Sequence, residues 1–327
     1  MLRRRTLLTA TASLPLGAAL GSGASAQGSD WPNRPIRIVV PFPPGGPNDI
    51  IARLYAPALT AVLKQPIVIE NRGGAGGGIG VDAVAKAAPD GYSLVISSSG
   101  ALVINPHVMN VPYKVPEDFT PISIVTLVPE ALAAHPSLGV KTLPELIALA
   151  KQRPGRINIG TAGAAGISQL AAELFKAQTG IDITVVPYRG AAPAVVDLLG
   201  GQIQLLFADL PVILPHFRSN ALVPVVLASR QRSPSLPDLP ITAEHGFPQV
   251  LADNWYSMLG PARLPAPILA KLSEAVKIAS QTPEVRNGLA NQGAQAIWTT
   301  PADFTARLVS ESEVWKRVAQ AANIRAY

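Results

Sequence analysis

The chain has no cysteine in 327 residues. That single absence excludes disulfide frameworks, cysteine-ligated zinc, iron–sulfur clusters, cysteine nucleophiles and a lipid-modified cysteine anchor. Charge is sparse, with 15% Asp, Glu, Lys or Arg, and aromatic residues make up 5%. The basic residues are scattered and not interleaved with aromatics, so nucleic-acid binding has no support. The histidines His107, His135, His216 and His245 lie far apart, and no metal site is expected. No segment supplies the run of about eighteen apolar residues that a membrane span needs. P-loop, nucleophile-elbow and His-Glu-x-x-His patterns are all missing. Gly78-Ile79-Gly80-Val81-Asp82-Ala83 fits a relaxed dinucleotide pattern. It follows a glycine run instead of closing a strand, and no acid stands at the expected later strand end, so it reads as a glycine turn and no cofactor is expected.

What is present is a core-forming chain. Apolar residues reach 48%, and 27 glycines and 32 prolines imply many tight turns. The length fits about two domains. The N-terminus opens with Arg3, Arg4 and Arg5, continues with a mildly apolar stretch and ends in Ala24-Ser25-Ala26. This pattern predicts a signal peptide over residues 1–26, cleaved after Ala26, by the twin-arginine or the Sec route. The mature protein is then exported and periplasmic. The net charge of +6 includes three arginines of that segment and no acid, so the mature chain carries +3. Such a weak positive balance is at most a mild attraction for small anions.

From Asp30 onward, apolar strands alternate with loops and helices. Strands are predicted at 36–40, 67–69 and 92–96, with helices at 50–63 and 81–88. The rhythm resumes with a capping box at Thr142-Leu143-Pro144-Glu145 and a helix to about Gln152. Strands follow at 157–160, 183–186, 203–207 and 223–228, with helices at 169–179, ended by Gly180, and at 191–199. The repetition predicts an α/β protein with a mostly parallel sheet. The last third reads as helical. Helices are predicted at 267–280 and after a second capping box at Thr300-Pro301-Ala302-Asp303, and Pro248–Met258 reads as a return crossing.

Several predicted strands end in loops poor in large side chains: Phe42–Asp49 (FPPGGPND), Ser97–Ala101 (SSSGA) and Thr161–Ser168 (TAGAAGIS). Glycine lets backbone approach a ligand, and the free N–H groups of a following helix favour an anion. Ligands of α/β sheets sit beyond the carboxyl ends of strands. No paired Lys or Arg occupies these loops, which favours a carboxylate over a polyphosphate. The alternative is that they are ordinary βα connections with Asn48, Asp49 and Ser168 as caps.

These segments carry a resemblance. WPNRPIRIVVPFPPGGPND (Trp31–Asp49), VIENRGGAGGGIGVDAVAKAAPDGYSL (Val68–Leu94), Asn105-Pro106, INIGTAGAAGISQLAAELFKAQTGIDI (Ile157–Ile183) and VPYRG (Val186–Gly190) occur in order. Together they resemble the periplasmic substrate-binding proteins of tripartite tricarboxylate transporters, the Bug-type receptors. The resemblance implies a type II periplasmic-binding-protein fold, with two α/β lobes, a central cleft and a hinge. Lobe 1 would hold residues 30–128 and 252–327, and lobe 2 residues 129–251. It implies a small carboxylate ligand and ligand-binding positions at Phe42, Gly45, Gly46, Asp49, Ser97, Ser98, Ser99, Thr161, Ala162, Gly163, Ser168, Tyr188 and Asp209.

Glycine N–H groups and the hydroxyls of Ser97, Ser98 and Thr161 would donate to the ligand. Tyr188 would wall the cleft or be a half-buried strand-end aromatic. Asp209 would accept from a ligand amine or hydroxyl, or cap the following segment. Asp49 is expected to shape its loop, because two carboxylates repel. Prolines in PFPPGG, and Gln169 where a histidine is common, depart from the family pattern, so ligand identity does not carry over.

The implied partners are the ligand and the membrane permease subunits of such a transporter. A monomer is expected, and no catalytic residue. Two alternatives are a sensor presenting the same ligand to a membrane signalling partner, and a secreted hydrolase using Ser98, Asp209 and a histidine.

Overall fold

The computed structural model describes residues 31–163 and 166–321, and the predicted signal peptide lies outside them. Strand β1 (Ile36–Val40) is apolar at four of its five positions and almost wholly buried. Burying each such aliphatic side chain stabilises the fold by roughly 1.5–3 kcal/mol. It pairs in parallel with β2 (Ile67–Asn71) and β3 (Ser93–Ser98). Helices α1 (Pro47–Leu63) and α2 (Gly78–Ala85) make the crossovers. Helix α1 starts three residues before the predicted position. Pro47 has its φ preset for a first helical position and needs no N–H partner there, so it draws Asn48 and Asp49 into the first turn.

A short helix α3 (Asn105–Val108) leads to β4 (Phe119–Ala134). The sequence reading assigns no element to 119–134, because a continuous apolar run does not distinguish strand from buried helix. Then come α4 (Leu143–Gln152), β5 (Asn158–Thr161), α5 (Ile167–Thr179), β6 (Thr184–Pro187), α6 (Ala191–Leu199), β7 (Leu205–Asp209), α7 (Leu210–Arg218) and β8 (Val223–Ala228). Strand β5 pairs in parallel with β6 and β7. The chain ends with β9 (Asp253–Pro261), α8 (Ala266–Gln281), α9 (Pro283–Asn291), β10 (Gln295–Ala296) and α10 (Pro301–Ala321).

The expected capping box before α4 is present. Glu145 N–H donates to Thr142 Oγ1 at 3.4 Å, and the Glu145 carboxylate accepts the Thr142 N–H at 3.2 Å. Thr300 Oγ1 likewise accepts the Asp303 N–H at 3.0 Å before α10. Gly180 ends α5 with φ 66°.

The strand order is β2-β1-β3-β9-β4-β7-β5-β6, with β8 and β10 also on β4. The sheet is mixed, which corrects the mostly parallel expectation. The predicted return crossing is itself β9, lying antiparallel between β3 and β4. Strand β4 pairs antiparallel with β9 from Phe119 to Pro129, and with β7 from Glu130 to Ala134. The long strand therefore exchanges partners between Pro129 and Glu130, joining the two parallel sets.

Candidate functional site

Helices α1, α5 and α6 begin without a side-chain cap. Gly46 stands at the N-cap of α1, Gly166 at that of α5 and Gly190 at that of α6. The N–H groups of a helix's first turn have no partner within the helix, and the helix end carries a partial positive charge. Gly190 has φ 139°, a conformation open to glycine, and a Cβ there would also lie 3.4 Å from Pro43 Cδ. A Cβ on Gly100, after β3, would lie 3.5 Å from Gly166 Cα. The bends after β1 and β6 thus meet, as do those after β3 and β5.

Between them is a cavity of about 620 Å³, its open mouth included. Gly46, Pro47 and Asn48 line it from α1, Gly166, Ile167 and Ser168 from α5, and Gly190, Ala191 and Ala192 from α6. No Lys, Arg or His is among the lining residues.

Of the residues expected to bind, Phe42, Gly46, Ser98, Ala162, Gly163, Ser168 and Asp209 line the cavity. The others stand beside these. Gly45 is at the exposed bend, and its N–H donates to Asp49 Oδ2 at 3.0 Å. Asp49 is buried and also accepts from Arg53 Nε at 3.0 Å and Asn71 Nδ2 at 3.0 Å. Burial opposes the Asp49 charge, but the hydrogen bonds from Arg53, Gly45 and Asn71 outweigh it and hold the carboxyl below its ordinary range. Ser97 and Thr161 are fully buried. Thr161 Oγ1 donates to Gly163 O at 3.4 Å, and Ser99 Oγ to Asn254 Oδ1 at 2.7 Å. Ser168 Oγ accepts the Ala162 N–H at 2.8 Å, tightening its loop. Tyr188 donates to Asp197 Oδ2 at 2.7 Å and packs on the apolar cluster around β7 and α6. Of the histidines, His107 bonds Ser312 Oγ at 2.7 Å and His135 bonds Ser137 Oγ at 2.7 Å.

The wall also carries Asn105, Glu130, Asn254 and Tyr256, none of which was expected from the sequence as a binding position. Asn105 lines it, and its Nδ2 donates to Gly76 O at 2.9 Å. Asn254 Nδ2 donates to Asp209 Oδ1 at 3.1 Å and lies 3.1 Å from the Tyr256 hydroxyl. Tyr256 in turn donates to Asp209 Oδ2. Burial pushes the Asp209 carboxyl up to about 7, against the hydrogen bonds from Tyr256 and Asn254 that favour its charged form. Glu130, fully buried, also lines the cavity. Burial, and then the neighbouring Asp209, raise its pKa well above that of an ordinary carboxyl. One signal for Glu130 was in the sequence: a lone acid within the apolar run of residues 122–134.

Residues 51–324 match the tripartite tricarboxylate transporter family receptor, TctC. The chain belongs to this receptor family. It is 39% identical over 303 residues to the protein BugT of Bordetella pertussis, covering 92% of this chain and 93% of that one. The receptor fold is shared with solved structures. The periplasmic binding protein BugD is 30% identical, with a TM-score of 0.85 and coverage of 90% of this chain and 99% of that one. An R. palustris protein with adipate is 34% identical, with a TM-score of 0.87 and the same coverage. MatC from Rhodopseudomonas palustris with bound malate is 32% identical, with a TM-score of 0.82, covering 88% and 99%. The fold is therefore that of the periplasmic binding proteins of this family, and the chain is a solute-binding receptor.

Proposed function

We propose that the receptor captures a small organic acid in the periplasm and delivers it to the membrane permease of a tripartite tricarboxylate transporter. The observation that carries this reading is the convergence of three uncapped helix N-termini on one cavity without a cationic side chain. Such ends bind a carboxylate through backbone N–H groups and the helix dipole. Ser98, with Ala162 and Gly163, completes a wall of small groups around it. The adipate and malate held by the two relatives support an acid of similar size.

The same reading includes export with removal of residues 1–26, and two lobes, 30–128 with 252–327 and 129–251. The hinge is assigned to the point where β4 changes partners, between Pro129 and Glu130. A ligand bridging α1 on one side with α5 and α6 on the other shifts the balance towards closure. Holding the acid requires no covalent step, and no residue is assigned a catalytic role.

The test is a thermal-shift screen of ligand-stripped protein against mono-, di- and tricarboxylates, with and without amino or hydroxyl groups. A true ligand at one hundred times its Kd stabilises the native state by about 2.7 kcal/mol. That corresponds to a rise in Tm of roughly 4 °C for a chain of this length. The absence of a shift across the panel removes the proposal.

A further inference from the structure

The cavity has one wall of opposite character to the helix ends. Glu130 on β4 stands directly opposite Asp209 on β7 in the antiparallel register, so both side chains project from the same face of the sheet. Both residues line the cavity and are buried. The donors beside them are already engaged: Asn254 and Tyr256 both donate to Asp209. Among the described residues, Glu130 receives nothing. Both of its carboxylate oxygens are buried without a hydrogen-bond partner. No lysine, arginine or histidine lines the cavity to balance the pair. Among the described residues, no group of three His, Cys, Asp or Glu is placed to hold a metal ion.

A buried carboxylate left without a partner is costly, and native structures leave few such groups unexplained. A donor or a cation entering the cavity that both residues line would supply the missing partner. We propose that Glu130, with Asp209 beside it, receives an ammonium group of the ligand, so that the receptor selects amino-substituted carboxylic acids over the deaminated acid of the same carbon skeleton. This rests on the reading that the helix ends hold a carboxylate. The site then has two poles. Helix N-termini face the ligand's negative end, and the acid pair faces its positive end. A second carboxylate placed at the acid pair meets like charge in a buried site, where repulsion is weakly screened. Burial raises the pKa of Glu130 and of Asp209, which favours a proton on the empty pair. An arriving ammonium favours the fully ionised pair, and the proton passes to the solvent.

The experiment uses ligand-stripped protein and matched probes: aspartate with succinate, glutamate with glutarate, 2-aminoadipate with adipate, and 4-aminobutyrate with butyrate. Isothermal titration is run in two buffers of different ionisation heat. The amino member of at least one pair is expected to bind at least tenfold more tightly, with proton release read from the buffer-dependent enthalpy. Glu130→Gln, nearly isosteric, is expected to remove that preference while carboxylate binding persists. Equal or tighter binding of the deaminated acids, or proton uptake on binding, overturns this inference alone. Binding of no acid of either kind overturns the receptor reading and this inference with it. The paired affinities of the unmodified chain decide the matter even if the variant fails to fold.

Discussion

The Asp49 carboxylate accepts the Gly45 N–H at 3.0 Å, tying the bend after β1 to the first turn of α1. Asn71 completes the staple, donating from Nδ2 to Asp49 Oδ1 at 3.0 Å and to Phe42 O at 3.2 Å. The loop is thus held in shape before a ligand arrives. Replacing Asp49 with Ala removes three hydrogen bonds to a charged group, one of them from the largely exposed Arg53. A loss of about 1–3 kcal/mol in urea denaturation is expected. Weaker ligand binding should accompany it, because the α1 end is no longer positioned.

Gly166 gives a direct test of the helix-end site. Its φ of −80° and ψ of 175° are open to any residue, and the nearest atom to an added Cβ is Gly163 O at 3.8 Å. Aspartate is among the best N-cap residues, so Gly166→Asp places a carboxylate where the ligand's is expected to lie. The ligand-free variant should keep its fold, its stability changing by only a few tenths of a kcal/mol. Its affinity for the acid should fall by at least about tenfold, or about 1.4 kcal/mol. Titration calorimetry measures the affinity and urea denaturation the stability, since a misfolded variant would lose its denaturation transition as well.

The acid pair makes stability depend on pH with a definite sign. Burial raises the pKa of both Glu130 and Asp209, so between the ordinary carboxyl range near 4 and about 7 the folded chain holds more protons than the unfolded one. Their contribution to stability is full below that window and is lost as pH rises through it. The Tm of ligand-free protein, followed from pH 4 to 8, should carry this downward component. Asp49 works in the opposite direction at lower pH, since its pKa is depressed. Glu130→Gln should flatten the component that Glu130 and Asp209 supply, because one titrating group is gone.

Gly80 tests why the glycine run after β2 exists. A Cβ there would sit 2.6 Å from Arg72 O and 2.7 Å from Pro41 Cα, backbone atoms that have little freedom to yield. Helix α2 is therefore packed against the end of β1 through a residue with no side chain. Gly80→Ala should cost about 1–3 kcal/mol, read as a lower denaturation midpoint with an unchanged slope.

Local chemistry made much of this legible. The apolar stretch Ile36–Val40, the Thr142–Glu145 capping box and the Gly180 stop are signals that act within a few residues, and each recurs in the structure. The small-residue loops were visible for the same reason. A βα bend near a ligand has few alternatives to glycine, serine and alanine, and Gly46, Ser98, Ala162 and Gly163 all reach the cavity.

The sequence by itself determined the α/β rhythm, the small-residue loops and the family to which the order of motifs belongs. Tertiary structure alone decided that β9 lies antiparallel between β3 and β4, and that Glu130, Asp209, Asn254 and Tyr256 face one space. The reason is physical. Propensity, capping and turn chemistry are local energies written in adjacent residues, whereas strand pairing joins positions as distant as Ser98 and Tyr256. Whether a lone acid is a surface charge or a buried one waiting for a partner depends on which strands flank it, and the chain settles that only when it folds.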